Sequence, residues 1–447
     1  MNKREVFLVE YQGKNVIFAP LKGIILEVRD DEKNEVDELL RHPEFSFEDL
    51  LGVFPEIKKD RLMSQKTEDE SEKEKIREFC PTSAILFPTF NCHLRCIYCY
   101  SEAGEQKVNM SWEVAKAAID FIVENTKQNK EKECSLEFHG GGEPTWNWPV
   151  FQSSLSYFQE RTRMNGLVPK VNLVTNGMLS EMQIDWIVKH NLRTVQVSLD
   201  GMEEIHDSQR PTAGGGKSFA IVYRAINSFL TKGAEVVIHS VVTEIGVKRI
   251  PEIVCFFGKN FPGLTVQIEP ACPCGRGLAT GQQFPSPEIF AKGFIESLDI
   301  AKSFGINLIY SGVSSRLTEI HRSFCGASEP NFVVTPEGFI TACHEVAELN
   351  HPFANLFIYG QWDKVRRKFL VDNQKIEHLR NTAIEGNSLC RDCFAQFYCA
   401  GDCSVKNLTD KIEKDILSPN SRCRINRELT KYYIFSHLFG GEKGGAQ

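Results

Sequence analysis

Short apolar runs alternate with amphipathic stretches of helical spacing over residues 83–310. This order is typical of repeated β-α units around a parallel sheet. Strands are predicted at 84–89, 135–138, 171–175, 194–199, 236–242 and 265–268, with helices at 114–126, 149–162, 180–190, 218–232 and 250–259. The pattern predicts an α/β fold, a partial (β/α)6 TIM-like barrel, with an open doubly wound sheet as the alternative.

The chain on either side of this region has a different pattern. Within residues 1–60, three β-branched runs separated by turn residues predict a small β-meander, and helical spacing at 35–41 and 47–54 adds two short helices. The segment 61–82 is densely charged, which indicates a linker. From 311 to 440 the β-α alternation ends and cysteines accumulate, which predicts a separate domain.

Composition limits the function classes. The 447 residues carry 52 Lys and Arg against 59 Asp and Glu, a net charge of −7, and no basic stripe that would follow a nucleic-acid backbone. There is no apolar run of about 18 residues and no secretory signal pattern. We therefore expect a cytoplasmic protein without nucleic-acid or membrane partners. In that reducing compartment fifteen cysteines indicate metal or redox chemistry rather than disulfides.

A first set of cysteines, Cys92, Cys96 and Cys99, directly follows the first predicted strand. Catalytic groups gather at this end of a parallel β/α fold. Three closely spaced thiolates can bind three irons of a 4Fe-4S cluster and leave the fourth iron open. The alternative is a zinc site, for which His93 is near enough in sequence to be considered as a fourth ligand.

The Cys-x3-Cys-x2-Cys spacing, with Tyr98 before the last cysteine, resembles the cluster loop of radical S-adenosylmethionine (radical SAM) enzymes. The resemblance implies that the amino and carboxylate groups of S-adenosylmethionine chelate the open iron. After the second strand, the sequence His-Gly-Gly-Gly-Glu-Pro is similar to the family's Gly-Gly-Glu-Pro motif. The motif residues predicted to bind the cofactor are Gly141, Gly142, Glu143 and Pro144. Glycines allow close backbone approach, and Glu143 is expected to accept a hydrogen bond from the ligand's amine.

Three further residues are candidates for the same ligand. Ser198 and Asp200 alternate with apolar residues, so we expect both on one face, where they suit a ribose diol or an ammonium group. By resemblance to the family, Arg210 is expected to contact the carboxylate of S-adenosylmethionine. Taken alone, the Asp-Gly pair at 200–201 is typical of a turn and Arg210 of a surface residue.

A second set of cysteines resembles the SPASM extension of peptide- and protein-modifying radical SAM enzymes. Its members are Cys325, Cys343, Cys390, Cys393, Cys399, Cys403 and Cys423. The resemblance implies one closed auxiliary 4Fe-4S cluster on Cys390, Cys393, Cys399 and Cys423. It implies another on Cys325, Cys343 and Cys403, and so three clusters in all. Considered alone, the Cys-x2-Cys pair at 390–393 also fits a zinc ribbon.

The cluster on Cys325, Cys343 and Cys403 lacks a fourth thiolate from the motif. Anaerobic sulfatase-maturating enzymes have an extra cysteine near the first one of this set, and this chain does not. Two candidates for the fourth ligand of this cluster remain open. One is a group of the substrate peptide, and the other is the thiolate of Cys272 or Cys274.

By this resemblance, the protein is expected to make a 5′-deoxyadenosyl radical and to crosslink a ribosomally made peptide through a thioether or carbon–carbon bond, in the manner of ranthipeptide and sactipeptide maturases. A flavodoxin or ferredoxin is expected to donate the electron. The meander resembles the winged-helix modules that bind a leader peptide as an added strand, with a capping sheet as the alternative. The alternative functions are formylglycine formation on a sulfatase and a non-catalytic electron carrier. No catalytic acid or base can be assigned.

Overall fold

The structure, a computed structural model, describes residues 6–42, 49, 78–381, 388–413 and 421–440. Two compact units are present. The sheet unit comprises residues 77–309 and 325–381, and the terminal unit comprises 1–76, 310–324 and 382–447. The helix predicted at 47–54 and most of the charged segment 61–82 lie outside the described residues.

Two sheets organise the two units. The terminal unit has an antiparallel sheet of order β1-β2-β3, and the sheet unit has one of order β10-β9-β8-β7-β6-β5-β4-β11-β12-β13-β14. Their strands are β1 (Phe7–Tyr11), β2 (Lys14–Ala19), β3 (Ile24–Val28), β4 (Ser83–Leu86), β5 (Glu133–Phe138), β6 (Val168–Thr175), β7 (Thr194–Ser198), β8 (Val236–Val242), β9 (Thr265–Pro270), β10 (Asn307–Ile309), β11 (Val333–Val334), β12 (Phe339–Thr341), β13 (Ile358–Asp363) and β14 (Lys368–Val371).

Helices follow the strands in the predicted alternation. They are α1 (Lys33–Arg41), α2 (Trp112–Gln128), α3 (Trp148–Met164), α4 (Glu181–Lys189), α5 (Glu203–Gln209), α6 (Phe219–Thr231), α7 (Ile250–Asn260), α8 (Gly275–Ala279), α9 (Pro287–Ser303), α10 (Ala354–Phe357), α11 (Asn373–Arg380), α12 (Ser388–Arg391), α13 (Gln396–Cys399), α14 (Ser404–Glu413) and α15 (Ser421–Phe439). Serine caps fix where several begin. Ser111 accepts a hydrogen bond from Val114 N–H, and Ser180 forms a capping box with Gln183.

The parallel strands β4 to β9 are neighbours in chain order. A doubly wound sheet reverses its order at a switch point, so that alternative is wrong. Because β-α-β crossovers are right-handed, a sequential order returns every helix to the same face of the sheet. This is the winding of an incomplete β/α barrel, as predicted, although β10 pairs in parallel with β9 as a further strand that the sequence did not predict.

The two faces of this sheet differ in polarity. Except for Thr175 and Ser240, the residues on the helix side are buried and apolar, among them Leu136, Phe138, Val171, Leu173, Val195, Val197, Ile238, Val266 and Ile268. The opposite face is half-buried and carries, beside Ile85, Val174, Val237 and Val241, these polar residues: Ser135, Glu137, His139, Asn172, Gln196, His239, Gln267 and Glu269. TIM barrels fill this inner space with branched apolar side chains. The polar inner face, a name kept below for this second set, therefore departs from ordinary barrel packing.

Strands β11 to β14 were not predicted from the sequence. β11 pairs in parallel with β4, and β12 to β14 continue the sheet as an antiparallel meander. β11 has two residues and β12 has three, which is too short for alternation to be recognised. As a result, residues 325–381 belong to the sheet unit, whereas 388–440 belong to the terminal unit.

The core of the terminal unit combines both ends of the chain. Val16, Ile17 and Phe18 of β2 are fully buried. The ring of Phe18 lies 5.8 Å from that of Tyr398, and the ring of Tyr11 lies 5.5 Å from that of Phe435 on α15. The three strands lie where the three apolar runs predict them. None of the described helices is long and apolar enough to cross a membrane.

Candidate cofactor site

A long loop after β4 carries Cys92, Cys96 and Cys99. It is fixed to its surroundings along its length. Leu94 forms an isolated antiparallel β-bridge with Thr212. The Arg95 guanidinium donates hydrogen bonds to the carbonyls of Cys92, Leu94 and Gly104, each at 3.0 Å. The polar backbone of the loop is therefore held by protein partners, so the thiols have defined positions.

The three thiols lie close enough to influence one another. Burial and, to a smaller extent, the neighbouring thiols raise the pKa of Cys92 to about 11 and that of Cys96 to about 12. The Arg210 guanidinium opposes this for Cys96, from which its Nη1 lies 3.9 Å. Asn176 Nδ2 and Leu94 N–H each donate to Cys92 Sγ at 3.4 Å. Without a metal, these two thiols are held in their neutral form.

Glycines 140–142 pass very close to this loop. A Cβ on Gly142 would lie 2.2 Å from the Asn91 carbonyl oxygen, and one on Gly141 would lie 2.5 Å from the Phe90 ring. The hydroxyl of Tyr100 donates to the Gly140 carbonyl at 2.6 Å. Only glycine fits at positions 141 and 142, because backbone and ring atoms occupy the space that a side chain needs.

Glu143 is buried, with a relative exposure of 2%. Its carboxylate accepts hydrogen bonds from Thr145 Oγ at 2.7 Å, Thr175 Oγ at 2.9 Å and Asn176 N–H at 2.7 Å. The bond from Asn176 reaches Oε2 and the other two reach Oε1. Glu143 thus connects the ends of β5 and β6, and Oε2 retains capacity for a further donor.

Asp200 is the centre of a second network. Its fully buried carboxylate accepts from Tyr98 Oη at 2.6 Å, Gln209 Nε2 at 2.7 Å and Val241 N–H at 3.0 Å, and it lies 3.0 Å from Arg210 Nε. Burial acts to raise the pKa of Asp200, but the Arg210 charge and these donors outweigh it, so the pKa is lowered. The carboxylate stays ionised and ties the cysteine loop to the ends of β7 and β8.

Helix α8, which follows β9, also contacts the cysteine loop. Its Arg276 donates from Nη1 to the Cys96 carbonyl and from Nη2 to the Ala103 carbonyl, both at 3.0 Å, and its N–H donates to the Cys99 carbonyl at 2.9 Å. Cys272 and Cys274 lie in the short loop between β9 and α8. They therefore lie at the cofactor end of the sheet unit.

Two imidazoles stand at the edge of the polar inner face. His139, which immediately precedes the glycines, stacks on His344 with ring centroids 4.6 Å apart. Burial lowers the pKa of both, that of His344 to about 4. His344 Nε2 is buried and has no hydrogen-bond partner among the described residues. Along the same face, burial raises the pKa of Glu137.

Residues 86–252, which include the cysteine loop, the glycines and Asp200, match the family model of the radical SAM superfamily. The chain contains a radical SAM domain. It is 23% identical over 371 residues to the cysteine-type anaerobic sulfatase-maturating enzyme of Clostridium perfringens, covering 79% of this chain and 96% of the relative.

Two solved structures share the fold. Native anSMEcpe with bound AdoMet and Cp18Cys peptide is 20% identical with a TM-score of 0.63, covering 80% of this chain and 98% of that one. Streptococcus suis SuiB bound to precursor peptide SuiA is 16% identical with a TM-score of 0.53, covering 91% and 96%. The fold of these radical SAM proteins extends well beyond residues 86–252.

A radical SAM domain implies S-adenosylmethionine and one 4Fe-4S cluster. Among the described residues, no three His, Cys, Asp or Glu side chains are arranged to hold a single metal ion. The residues present fit a cluster through their donor set, which is three neighbouring thiols with Asn176 and backbone N–H groups directed at sulfur. The side-chain-free space beside Gly141 and Gly142 fits close approach of a ligand to backbone.

The second cysteine set is divided between the two units. Cys325 and Cys343 belong to the sheet unit, whereas Cys390, Cys393, Cys399, Cys403 and Cys423 belong to the terminal unit. Within the terminal unit, burial raises the pKa of Cys423 to about 12, with added contributions from Cys393 and Cys390. Cys393 and Cys390 also act to raise the pKa of Cys399, after burial, which is the main cause. Cys423 and Cys399 are therefore each within electrostatic reach of Cys390 and Cys393.

Two residues of this radical SAM site were missed by sequence reasoning. Gln209 contacts Asp200, and Arg276 contacts the Cys96 carbonyl of the cysteine loop. Asn176, which donates to Cys92 Sγ, lies in a Thr-Asn-Gly segment at a strand end that fits the site from sequence but is also typical of a simple turn. Of the predicted residues, Tyr98, Asp200 and Arg210 are brought together with Cys96.

Replacing Gly142 with alanine is expected to weaken S-adenosylmethionine binding at least about tenfold, or about 1.4 kcal/mol. The added Cβ meets the Asn91 carbonyl, so the glycine loop must move away from the cysteine loop. Equilibrium binding to the anaerobically reconstituted protein measures the effect. Gly214→Ala is the matched control, because nothing lies within 4 Å of the added atom. Equal affinity of both variants would refute the proposed role of Gly142.

Proposed function

We propose that this radical SAM protein oxidatively modifies a ribosomally made peptide by forming a thioether or carbon–carbon crosslink. One observation carries the proposal. The cysteine loop and glycines 140–142 adjoin a half-buried sheet face that carries Glu137, Asn172 and His239 among its side chains. Such a face offers hydrogen bonds to a peptide. SuiB and anSMEcpe, which share the fold, have been solved with bound peptides.

When bound, S-adenosylmethionine and a reduced 4Fe-4S cluster supply a 5′-deoxyadenosyl radical that removes a hydrogen atom from the peptide. The residues of the chain provide position. Cys92, Cys96 and Cys99 hold the cluster, and the glycine backbone and Oε2 of Glu143 meet the methionine end of the ligand. Arg210 lies beside Cys96 and suits the ligand's carboxylate. Ser198 remains the candidate for the ribose.

Two auxiliary 4Fe-4S clusters belong to the same proposal. Cys390, Cys393, Cys399 and Cys423 close one of them. Cys325, Cys343 and Cys403 hold the other, and its fourth ligand is a substrate group, Cys272 or Cys274. In an oxidative reaction, the auxiliary clusters of such a SPASM extension accept the electron that is left after the new bond has formed. We place the protein in the cytoplasm, with a flavodoxin or ferredoxin as its reductant.

The peptide's leader is proposed to add a strand to the β1-β2-β3 sheet, whose edges are β1 and β3. A leader peptide is then expected to slow amide hydrogen exchange along one edge strand, β1 or β3, without slowing it along β4 to β9. Exchange measured by mass spectrometry on the full chain, with and without peptide, tests this. No protection on either edge would favour the capping-sheet interpretation.

The product identifies the reaction. We expect a peptide encoded beside this gene to lose two hydrogen atoms after incubation with the reconstituted protein, S-adenosylmethionine and reductant. Fragmentation spectra should then lack breaks inside the linked segment. Formylglycine formation is the second candidate, favoured by the relative from Clostridium perfringens. It yields an aldehyde that reacts with hydrazides, so a hydrazide-reactive product would contradict the crosslinking proposal.

A non-catalytic electron carrier is the alternative from a different class. An electron carrier does not need glycines packed tightly against the cysteine loop, where a Cβ on Gly142 would lie 2.2 Å from the Asn91 carbonyl oxygen. Nor does it need Arg210, held by Asp200, beside Cys96. We therefore favour an enzyme.

A further inference from the structure

Three consecutive residues between Cys399 and Cys403 have left-handed backbone conformations. The φ angles are +48° at Ala400, +77° at Gly401 and +59° at Asp402. Glycine adopts this region readily, but alanine and aspartate do so at a cost. A run of this kind persists only where its surroundings hold it.

Hydrogen bonds to the Asp402 carboxylate stabilise this conformation. It accepts from Arg422 Nε at 3.0 Å on each oxygen, from Asn426 Nδ2 at 3.0 Å and from Cys403 N–H at 2.7 Å. Asp402 and Arg422 are both buried, with relative exposures of 5% and 7%. The Asn407 side chain also donates to the Gly401 carbonyl at 2.7 Å. The turn is therefore fixed from α14 and α15.

The turn lies between two cysteines that are predicted to belong to different clusters. In an uninterrupted helix, residues four apart lie on the same face, so Cys399 and Cys403 would serve one cluster. The left-handed run ends α13 at Cys399 and begins α14 immediately after Cys403. Asp402 N–H donates to the Cys399 carbonyl at 2.7 Å, which closes the turn.

The same ion pair also lies next to a third cysteine, Cys423, in the sequence. Asp402 precedes Cys403, and Arg422 precedes Cys423. One buried ion pair thus fixes the backbone beside both cysteines, on elements separated by the undescribed residues 414–420.

We propose that the Asp402–Arg422 ion pair is a positioning device that directs Cys399 and Cys423 to one auxiliary cluster and Cys403 to another. The inference rests on the two auxiliary clusters of the proposed function. Asp402 and Arg422 are positioning residues, since they act through the cysteines next to them. The Arg422 guanidinium also lies over the Tyr310 ring at 5.2 Å, which restricts its orientation.

The test uses the full chain with Cys92, Cys96 and Cys99 replaced by alanine, so that auxiliary clusters alone contribute iron. After anaerobic reconstitution, this protein is expected to hold about eight irons and eight sulfides. Adding Asp402→Asn or Arg422→Gln is expected to remove about four of each, because Cys403 no longer faces its cluster. The electron paramagnetic resonance signal of the remaining cluster is expected to persist with altered g values.

Arg424→Gln is the matched control, an exposed arginine two residues from Arg422 on the same helix. It is expected to keep all the iron. If Asp402→Asn does not fold by circular dichroism, Arg422→Lys carries the same test, since it keeps the charge but not the contact with two oxygens. Ala400→Gly is expected to retain both clusters and to raise the melting temperature.

Unchanged iron, sulfide and resonance spectra in folded Asp402 and Arg422 variants would overturn the positioning role while leaving the auxiliary clusters in place. Absence of auxiliary iron from the parent protein would instead refute the clusters themselves, and the ion-pair proposal with them. The two failures are therefore distinguishable.

Discussion

Cys96→Ala is expected to lower 5′-deoxyadenosine formation at least about a hundredfold, or about 2.7 kcal/mol in activation free energy. The reason is the position of the thiol. Cys96 lies in the middle of the three-cysteine loop, beside the Arg210 guanidinium and within reach of its two neighbours' charges. Two remaining thiolates cannot hold three irons of a cluster. Chromatographic quantification of 5′-deoxyadenosine, together with iron content, measures the loss.

Cys255→Ala provides the matched control for this experiment. Cys255 lies on α7, half-buried among helix residues and apart from both predicted cysteine sets. Its replacement is expected to leave iron content and 5′-deoxyadenosine formation unchanged. If the Cys96 variant kept its activity, or if both variants lost it equally, the assignment of the first cluster to this loop would be wrong.

Asp200→Asn is expected to have the second largest effect, on both stability and cofactor binding. The substitution leaves the buried Arg210 without a counter-charge, which costs about 3–5 kcal/mol in the free energy of unfolding. It also weakens the attachment of Tyr98, and with it the cysteine loop. S-adenosylmethionine affinity is expected to fall in parallel. Chemical denaturation and equilibrium binding measure the two effects.

The pH dependence follows from the lowered pKa of Asp200. A lowered pKa in the folded state contributes stability above the unfolded value of about 3.9 and loses it as the pH falls toward the folded value. Asp185→Asn is the control, because its side chain is 61% exposed and its pairing with Lys232 is solvated. It is expected to change stability by less than about 0.5 kcal/mol. A similarly small effect at Asp200 would contradict its central role.

The sequence predicted the β-α units of the sheet well because their signals are local. Val236–Val242 was predicted to the residue, and Ser111 marks the start of α2 through a cap formed three residues away. The cysteine loop was identified for the same reason, since its three cysteines lie within eight residues. Local spacing also identified the glycines that pass beside it.

The side-chain networks could not be predicted, because their partners are distant in sequence. Tyr98 meets Asp200 across 102 residues, and Asn176 meets Cys92 across 84. The sequence assigned Asp200 to the ligand's ribose or ammonium, whereas in the structure both its oxygens contact protein donors. Glu143 likewise binds Thr175, a residue from the next strand. Only the assembled sheet brings these groups together.

The polar inner face had a sequence signal that was not used. Glu137 lies between the apolar Leu136 and Phe138 of β5, and His239 follows the apolar Ile238 of β8. In a sheet with helices on both faces, such residues would be buried without partners. The alternation thus marks a sheet covered by helices on one face only. The opposite face, which carries Glu137 and His239, is the one proposed to receive the substrate.

Incubation of S-adenosylmethionine with the anaerobically reconstituted full chain and dithionite tests most directly whether this protein is a radical SAM enzyme. We expect 5′-deoxyadenosine and methionine in equal amounts, produced by a protein that contains iron and sulfide and absorbs in the visible blue. A protein that holds stoichiometric zinc without sulfide, or an iron–sulfur protein that leaves S-adenosylmethionine intact, would contradict it.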